Sequence, residues 1–69
     1  MSKYKEVKII FCNEERIYWC KYGQIPFKTK VKLIAKVYFP NGYRMGIFEW
    51  NGKKFNAPLR ILRKVRHMD

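Results

Sequence analysis

Lysines recur in this chain at a spacing suited to binding phosphate groups. Lys28, Lys30, Lys32 and Lys36 take even positions of the segment 27–39, whose odd positions read Phe, Thr, Val, Leu, Ala, Val, Phe. Successive side chains of a β-strand point to opposite faces, so this alternation predicts a strand with an apolar core side and a lysine-rich solvent side. Ammonium groups spaced along one strand can contact the phosphates of a nucleic acid.

The lysine stripe also has a simpler interpretation, as solvated lysines that protect a sheet from aggregation. Tyr38, Met45 and Ile47 fall on the same predicted face and favour a nucleic-acid platform, because a purely solvated face has no reason to cluster apolar side chains. Exposed, they would stack on or wedge between bases; alternatively, another element buries at least one of them. Tyr43 is a second stacking candidate, or it packs on Pro40. The predicted nucleic-acid-binding residues are Lys28, Lys30, Lys32, Lys36, Tyr38, Tyr43, Arg44, Met45, Ile47 and Lys54.

Two Asn-Gly pairs, Asn41-Gly42 and Asn51-Gly52, separate alternating segments and predict two-residue type I′ hairpin turns. The second turn pairs Phe48 with Phe55 and Glu49 with Lys54, both favourable cross-strand combinations. The first turn pairs Val37 with Gly46, Ala35 with Phe48 and Tyr38 with Met45. Together they predict a three-stranded meander over residues 28–57. Its core face is expected to hold Leu33, Ala35, Val37, Phe39, Phe48 and Trp50, and its opposite face Ile34, Lys36, Tyr38, Met45 and Ile47.

The segments before and after the meander are less regular. Residues 7–12 and 16–21 predict a hairpin around Glu14-Glu15, with an apolar run at 9–11 that is either buried on both faces or bulged. Residues 56–60 predict a helical turn begun by Pro58. The tail 61–68 fits either a short amphipathic helix or an edge strand. The fold expected is mainly β: one domain over 1–69, a small SH3-like five-stranded barrel with an N-terminal hairpin, a three-stranded meander and a short C-terminal helical turn or helix.

The stretch Arg44-Met45-Gly46-Ile47-Phe48, followed by Gly52-Lys53-Lys54-Phe55, resembles the central strands of the small basic chromatin proteins of crenarchaea. The resemblance covers about thirty residues. It implies an SH3-like barrel whose three-stranded face lies across the DNA minor groove with an apolar wedge at a base step. The two cysteines, the more basic composition and the tail of this chain depart from that pattern.

The charge of the chain points to a polyanionic partner. Sixteen Lys and Arg against five acids give +11, of which residues 25–69 carry +9. Such a concentration of charge costs self-repulsion, which a polyanion relieves. Nucleic acid is the first candidate and an acidic protein surface is an alternative. Membrane binding is not expected, because the sequence predicts no long amphipathic helix.

The sequence contains little that indicates catalysis, metal binding or a targeting segment. The acids lack the spacing of two-metal chemistry, and His67 lies in the tail among basic residues. Cys12, Cys20 and His67 fall short of a zinc quartet and suit reduced, packed thiols, so we expect no metal and no cofactor. The early apolar run is too short for a signal or membrane helix. A cytoplasmic location is expected, nucleoid-associated if the partner is DNA.

The sequence thus predicts a non-enzymatic nucleic-acid-binding protein, with duplex DNA favoured over RNA and with low sequence specificity, since no recognition helix is evident. Two alternatives remain open. One is a small basic modulator of the phage or plasmid type that binds a host protein, because charge complementarity serves both cases. The other is an RNA- or ribosome-associated SH3-like domain that stacks aromatic side chains on unpaired bases.

Overall fold

The computed structural model describes residues 6–65, and strands account for 62% of them. The elements are β1 (Lys8–Tyr18), β2 (Thr29–Tyr38), β3 (Arg44–Trp50), β4 (Lys53–Pro58), one 3₁₀ turn (Leu59–Ile61) and β5 (Leu62–Lys64). They form one antiparallel sheet in the order β4-β3-β2-β1-β5, curled into a half-barrel. The mainly β class and the three-stranded meander β2-β3-β4 are therefore confirmed.

The predicted N-terminal hairpin is wrong, because β1 runs without a turn through Glu14-Glu15. Both acids are held in the strand by basic neighbours. Glu15 lies opposite Lys32, and the Glu14 carboxylate forms ion pairs with Arg16 (2.7 Å) and Lys36 (3.3 Å). Charge pairs across and along a strand can keep adjacent acids in a sheet. The apolar run that precedes them is exposed rather than buried on both faces, and the β1–β2 register shifts between Phe11 and Glu14.

The tail follows the strand alternative in the part that the structure describes. The helical turn predicted over residues 56–60 is displaced, because β4 continues to Pro58 and the 3₁₀ turn Leu59–Ile61 follows it. Within residues 6–65 this turn is the only helical element. β5 then pairs with the C-terminal end of β1, from Arg16 opposite Lys64 to Tyr18 opposite Leu62. Residues 66–68, the end of the tail for which a helix or a strand was predicted, lie outside the described residues.

The two Asn-Gly pairs behave differently. Asn51 and Gly52 both have positive φ (57° and 79°), as a type I′ turn requires, and every pair predicted from this turn is observed. At the other hairpin the predicted two-residue loop is wrong. Phe39 donates its N–H to the Tyr43 carbonyl at 2.9 Å, which leaves three loop residues. Only Gly42 among them has positive φ, the form of a type I turn followed by a bulge glycine. Proline is favoured at the second position of a type I turn, and Pro40 stands there.

This loop shifts the β2–β3 register by one residue from the predicted one, so that Lys36 lies opposite Gly46 and Val37 opposite Met45. Beyond Ala35 the register shifts again, and Leu33 lies opposite Phe48. Ile34 is therefore an extra residue, a β-bulge, in β2. Bulges bend the bulged strand and increase its twist, which suits a sheet that curls.

The bulge changes which face each half of β2 presents. Directly opposed residues share a face, so Leu33 shares the face of Phe48, and Ala35 the opposite face with Ile47. Ala35 and Val37 are buried (2% and 5% exposed) but lie outside the main core cluster. The prediction that Ala35 and Val37 lie on the core face is therefore wrong. The prediction that Lys36 and Tyr38 lie on the opposite face is also wrong, because both share the face of the core.

The main core lies on the face of the sheet that carries Leu33 and Phe48. Its largest fully buried side chains are Leu33, Phe48 and Leu62. Gly46 lets β3 approach this cluster, because a Cβ there would lie 2.5 Å from Leu62 Cδ1 and 2.9 Å from Leu33 Cδ1. Phe48 stacks on Phe55 with ring centroids 5.6 Å apart, as the second turn predicted. Seven buried residues form the cluster: Tyr18, Ile25, Val31, Leu33, Phe48, Ala57 and Leu62.

Candidate nucleic-acid interface

The face of the sheet opposite the core, called the outer face here, carries Lys30, Lys32, Met45, Ile47 and Lys54 of the predicted nucleic-acid-binding residues. Its composition follows from the observed register. Near the β2–β3 hairpin it is apolar: Phe11 lies opposite Ala35, which lies opposite Ile47. We call this region the outer apolar patch. Its members are Ile9, Phe11, Ala35, Val37, Met45 and Ile47.

The next row along the strands alternates in charge. Glu15 lies opposite Lys32, Lys32 opposite Glu49, and Glu49 opposite Lys54. Each lysine in this row therefore has a carboxylate on a neighbouring strand. The two predicted phosphate ligands, Lys32 and Lys54, are exposed on the outer face, but the acids beside them weaken their attraction for a polyanion.

Beyond this row, basic side chains gather around two aromatic rings. Trp19 and Phe27 pack edge to face with centroids 5.0 Å apart. The Arg63 guanidinium lies 4.7 Å and the Lys28 ammonium 5.4 Å from the centroid of the Trp19 ring, and Lys21 lies 5.5 Å from that of Phe27. These distances are those of cation–π contacts. We call these five residues, Trp19, Lys21, Phe27, Lys28 and Arg63, the Trp19 cluster.

The backbone fixes the position of this cluster. Trp19 follows the last residue of β1 and donates its N–H to the Ile61 carbonyl at 2.7 Å. Lys28 donates its N–H to the Tyr18 carbonyl at 2.7 Å and has a φ of 72°, unusual for a residue with a side chain. Arg63 lies opposite Ile17, which lies opposite Lys30. The cluster therefore continues the outer face, and Lys30 lies in the same row as Arg63, with Ile17 between them.

Lys36 is placed differently from the other predicted lysines. It bonds to Glu14, and its side chain is only 22% exposed. The hydrogen bond from Arg16, with help from Lys36, lowers the pKa of Glu14 below its ordinary value of 4.5. Arg16 is itself buried and donates to the Leu62 carbonyl at 2.8 Å. This network holds Lys36 on the core side of the sheet, away from the other lysines.

The remaining predicted residues lie near the β2–β3 hairpin. Tyr38 and Arg44 are directly opposed, on the same side of the sheet as Lys36. Tyr43 packs on Phe39, with ring centroids 5.6 Å apart. Tyr43, Arg44 and Arg60 line a shallow groove of about 350 Å³ between the hairpin and the 3₁₀ turn.

The structure brings together Lys28, Lys30, Lys32 and Lys54 on one side of the sheet, and Met45 and Ile47 in the outer apolar patch on the same side. Trp19 is the principal residue of this region that the predicted nucleic-acid-binding residues do not include. Its alternation with Ile17 along β1 was a signal that β1 continues toward it, but the hairpin expected at Glu14-Glu15 obscured this signal. Lys21 gave no signal, because its contact with Phe27 depends on the loop between β1 and β2.

Comparisons of the chain with protein-family models, curated proteins and solved structures gave no match. Within residues 6–65, no three His, Cys, Asp or Glu side chains come together as a metal site would need. Cys12 and Cys20 are half-buried free thiols, in agreement with the expected packed cysteines. No helix in the same part of the chain has the length and apolarity needed to cross a membrane.

Proposed function

We propose that this protein is a non-enzymatic nucleic-acid-binding protein of low sequence specificity that contacts its ligand through the Trp19 cluster and Lys30. The observation that carries the proposal is the convergence of Lys21, Lys28 and Arg63 on the Trp19–Phe27 pair, in which Trp19 is exposed and Phe27 half-buried. Lysine and arginine neutralise phosphates, and aromatic rings and guanidinium planes stack on bases.

The cluster favours a ligand with unpaired bases, because a stacked base must leave its duplex to meet an aromatic ring. The duplex-DNA model, which the sequence favoured, rests instead on Met45 and Ile47 as wedges. These side chains are half-buried in the outer apolar patch, and Lys32 and Lys54 lie in the adjacent row. Minor-groove binding through these residues is therefore a second proposal. The SH3-like identity of the half-barrel, its kinship with chromatin proteins and a cytoplasmic location are proposals of the same kind.

Fluorescence anisotropy with three labelled probes, a single strand, a duplex and an RNA hairpin, tests the proposal from low to physiological salt. We expect binding that weakens steeply with salt and is tightest for the unpaired probe. Tightest binding to the duplex would support the wedge model instead. Negligible binding to all three probes at physiological salt would contradict nucleic-acid binding and favour the protein-partner alternative.

Trp19→Ala and Tyr43→Ala form a matched pair, since the two aromatic residues are 39% and 44% exposed but lie in different regions. Loss of one stacked base costs about 1–3 kcal/mol, which corresponds to roughly a 5- to 150-fold rise in Kd. We expect this loss for Trp19→Ala and little change for Tyr43→Ala. The reverse result would move the site to the groove beside Arg44 and Arg60.

A further inference from the structure

The N-terminal half of β1 is an unpaired edge of the sheet. β5 covers only Arg16, Ile17 and Tyr18 on that side, and among residues 6–65 no strand pairs with the same side of β1 before Arg16. The side chains there are apolar and exposed: Ile9 is 52%, Ile10 50% and Phe11 81% exposed. Between Lys8 and Glu14 this edge contains no proline and no charge, the features that usually prevent strands from pairing.

We propose that this edge pairs with the same edge of a second copy of the chain, antiparallel and centred on Phe11. In this register Phe11 faces its own symmetry mate, Ile9 faces Asn13, and Lys8 faces Glu14 of the other copy. An opposite-charge pair of Lys8 and Glu14 therefore lies at each end of the contact. A contact of this kind is isologous, as two-fold dimers require. It also uses nearly the whole free edge, because β5 occupies the strand from Arg16 onward.

Neighbouring registers place less compatible residues opposite one another. Centring on Ile10 places Glu6 opposite Glu14, and like charges directly opposed destabilise a sheet. Centring on Cys12 places Lys8 opposite Arg16 and puts Ile9 and Ile10 against Glu15 and Glu14. Only the Phe11-centred register opposes apolar or neutral residues in the middle and opposite charges at the ends.

The resulting ten-stranded sheet would join the two outer apolar patches across the two-fold axis. Phe11 lies beside Ala35 within its own sheet, so the Phe11 pair would extend that patch into its copy. Continuous apolar surface of this kind is what stabilises homodimers. The pairing does not depend on nucleic acid, so its test is independent of the proposed function.

Sedimentation equilibrium without nucleic acid gives the first test. We expect a concentration-dependent mass that rises from 8.5 kDa toward twice that value. Phe11→Lys should abolish the rise, and because Phe11 is 81% exposed this variant should fold. Lys8→Glu opposes like charges at both ends and should raise the dimer Kd roughly tenfold. Tyr43→Lys, on the distant hairpin, is the control. A wild-type chain that stays monomeric at millimolar concentration, or a dimer unaffected by Phe11→Lys, would overturn the proposal.

Disulfide trapping tests the register itself, in a background with Cys12 and Cys20 replaced by Ala. Phe11→Cys alone should form a covalent dimer on mild oxidation, because directly opposed strand residues lie within disulfide reach. Ile9→Cys and Asn13→Cys should each crosslink poorly alone and efficiently when mixed. Efficient self-crosslinking at residue 9 or 13, with none at residue 11, would show a different register and refute this one.

Discussion

Lys28 combines a strained backbone with a position in the Trp19 cluster. Its φ of 72° lies in the left-handed region, which costs a residue with a side chain roughly 1–2 kcal/mol. Glycine adopts this conformation without steric cost, although it loses more chain entropy on folding. Strain of this kind persists where the surroundings impose it, and it is common at binding sites. The sequence does not indicate this strain, because in the sequence Lys28 is simply one more lysine at an even position of the alternating segment.

We therefore expect Lys28→Gly to be more stable than Lys28→Ala by about 1 kcal/mol, because only glycine relieves the strained φ. Both variants remove the ammonium group beside Trp19 and should weaken nucleic-acid binding equally. Urea denaturation measures the first quantity and anisotropy the second. Equal stability of the two variants would show that this backbone is not strained in solution, and unchanged affinity would remove Lys28 from the site.

At the scale of elements, local turn chemistry decided which predictions succeeded. The Asn51-Gly52 hairpin follows from two residues that tolerate positive φ, and its whole register could be derived from them. The register of the preceding hairpin could not be derived in this way, because Pro40 selects a three-residue loop instead of the expected two-residue loop. Beyond that loop, the bulge at Ile34 depends on pairing with two neighbouring strands at once. Nothing in the alternating pattern of β2 marks it, since every buried residue from Val31 to Val37 keeps its odd position.

Val31 and Val37 give a matched test of the change of face within β2. They are 4% and 5% exposed, but only Val31 belongs to the main core. Val31→Ala should lower the free energy of unfolding by about 2 kcal/mol, through lost transfer energy and a cavity. Val37→Ala should cost less than half of that, because its neighbours Ile9 and Met45 are partly exposed and can relax. Equal losses in urea denaturation would contradict the placement of Val37 outside the core.

At the scale of the whole molecule, charge indicates the class of partner but not the position of the contact. The +11 net charge follows from the composition. The composition does not show which cations can bind a partner and which are held in ion pairs within the fold. Lys36 illustrates this, because the bulge turns it toward Glu14 while Lys30 stays on the outer face. Glu14 was expected in a turn, so its ion pairs with Arg16 and Lys36 had no basis in the sequence pattern.

The salt dependence of binding distinguishes the two kinds of lysine within one strand. Each phosphate contact contributes about 0.7 to the slope of log Kd against log salt for a single strand and about 0.9 for a duplex. Lys30→Ala should therefore flatten the slope by about one contact, because Lys30 is exposed on the outer face in the same row as Arg63 of the Trp19 cluster. Lys36→Ala should leave the slope unchanged while lowering stability, because its ammonium is bonded to Glu14 at 3.3 Å. Anisotropy titrations from about 50 to about 200 mM salt, over which affinity falls steeply, provide the comparison. If both variants flatten the slope equally, Lys36 leaves Glu14 to bind phosphate, and the ligand must reach both sides of the sheet.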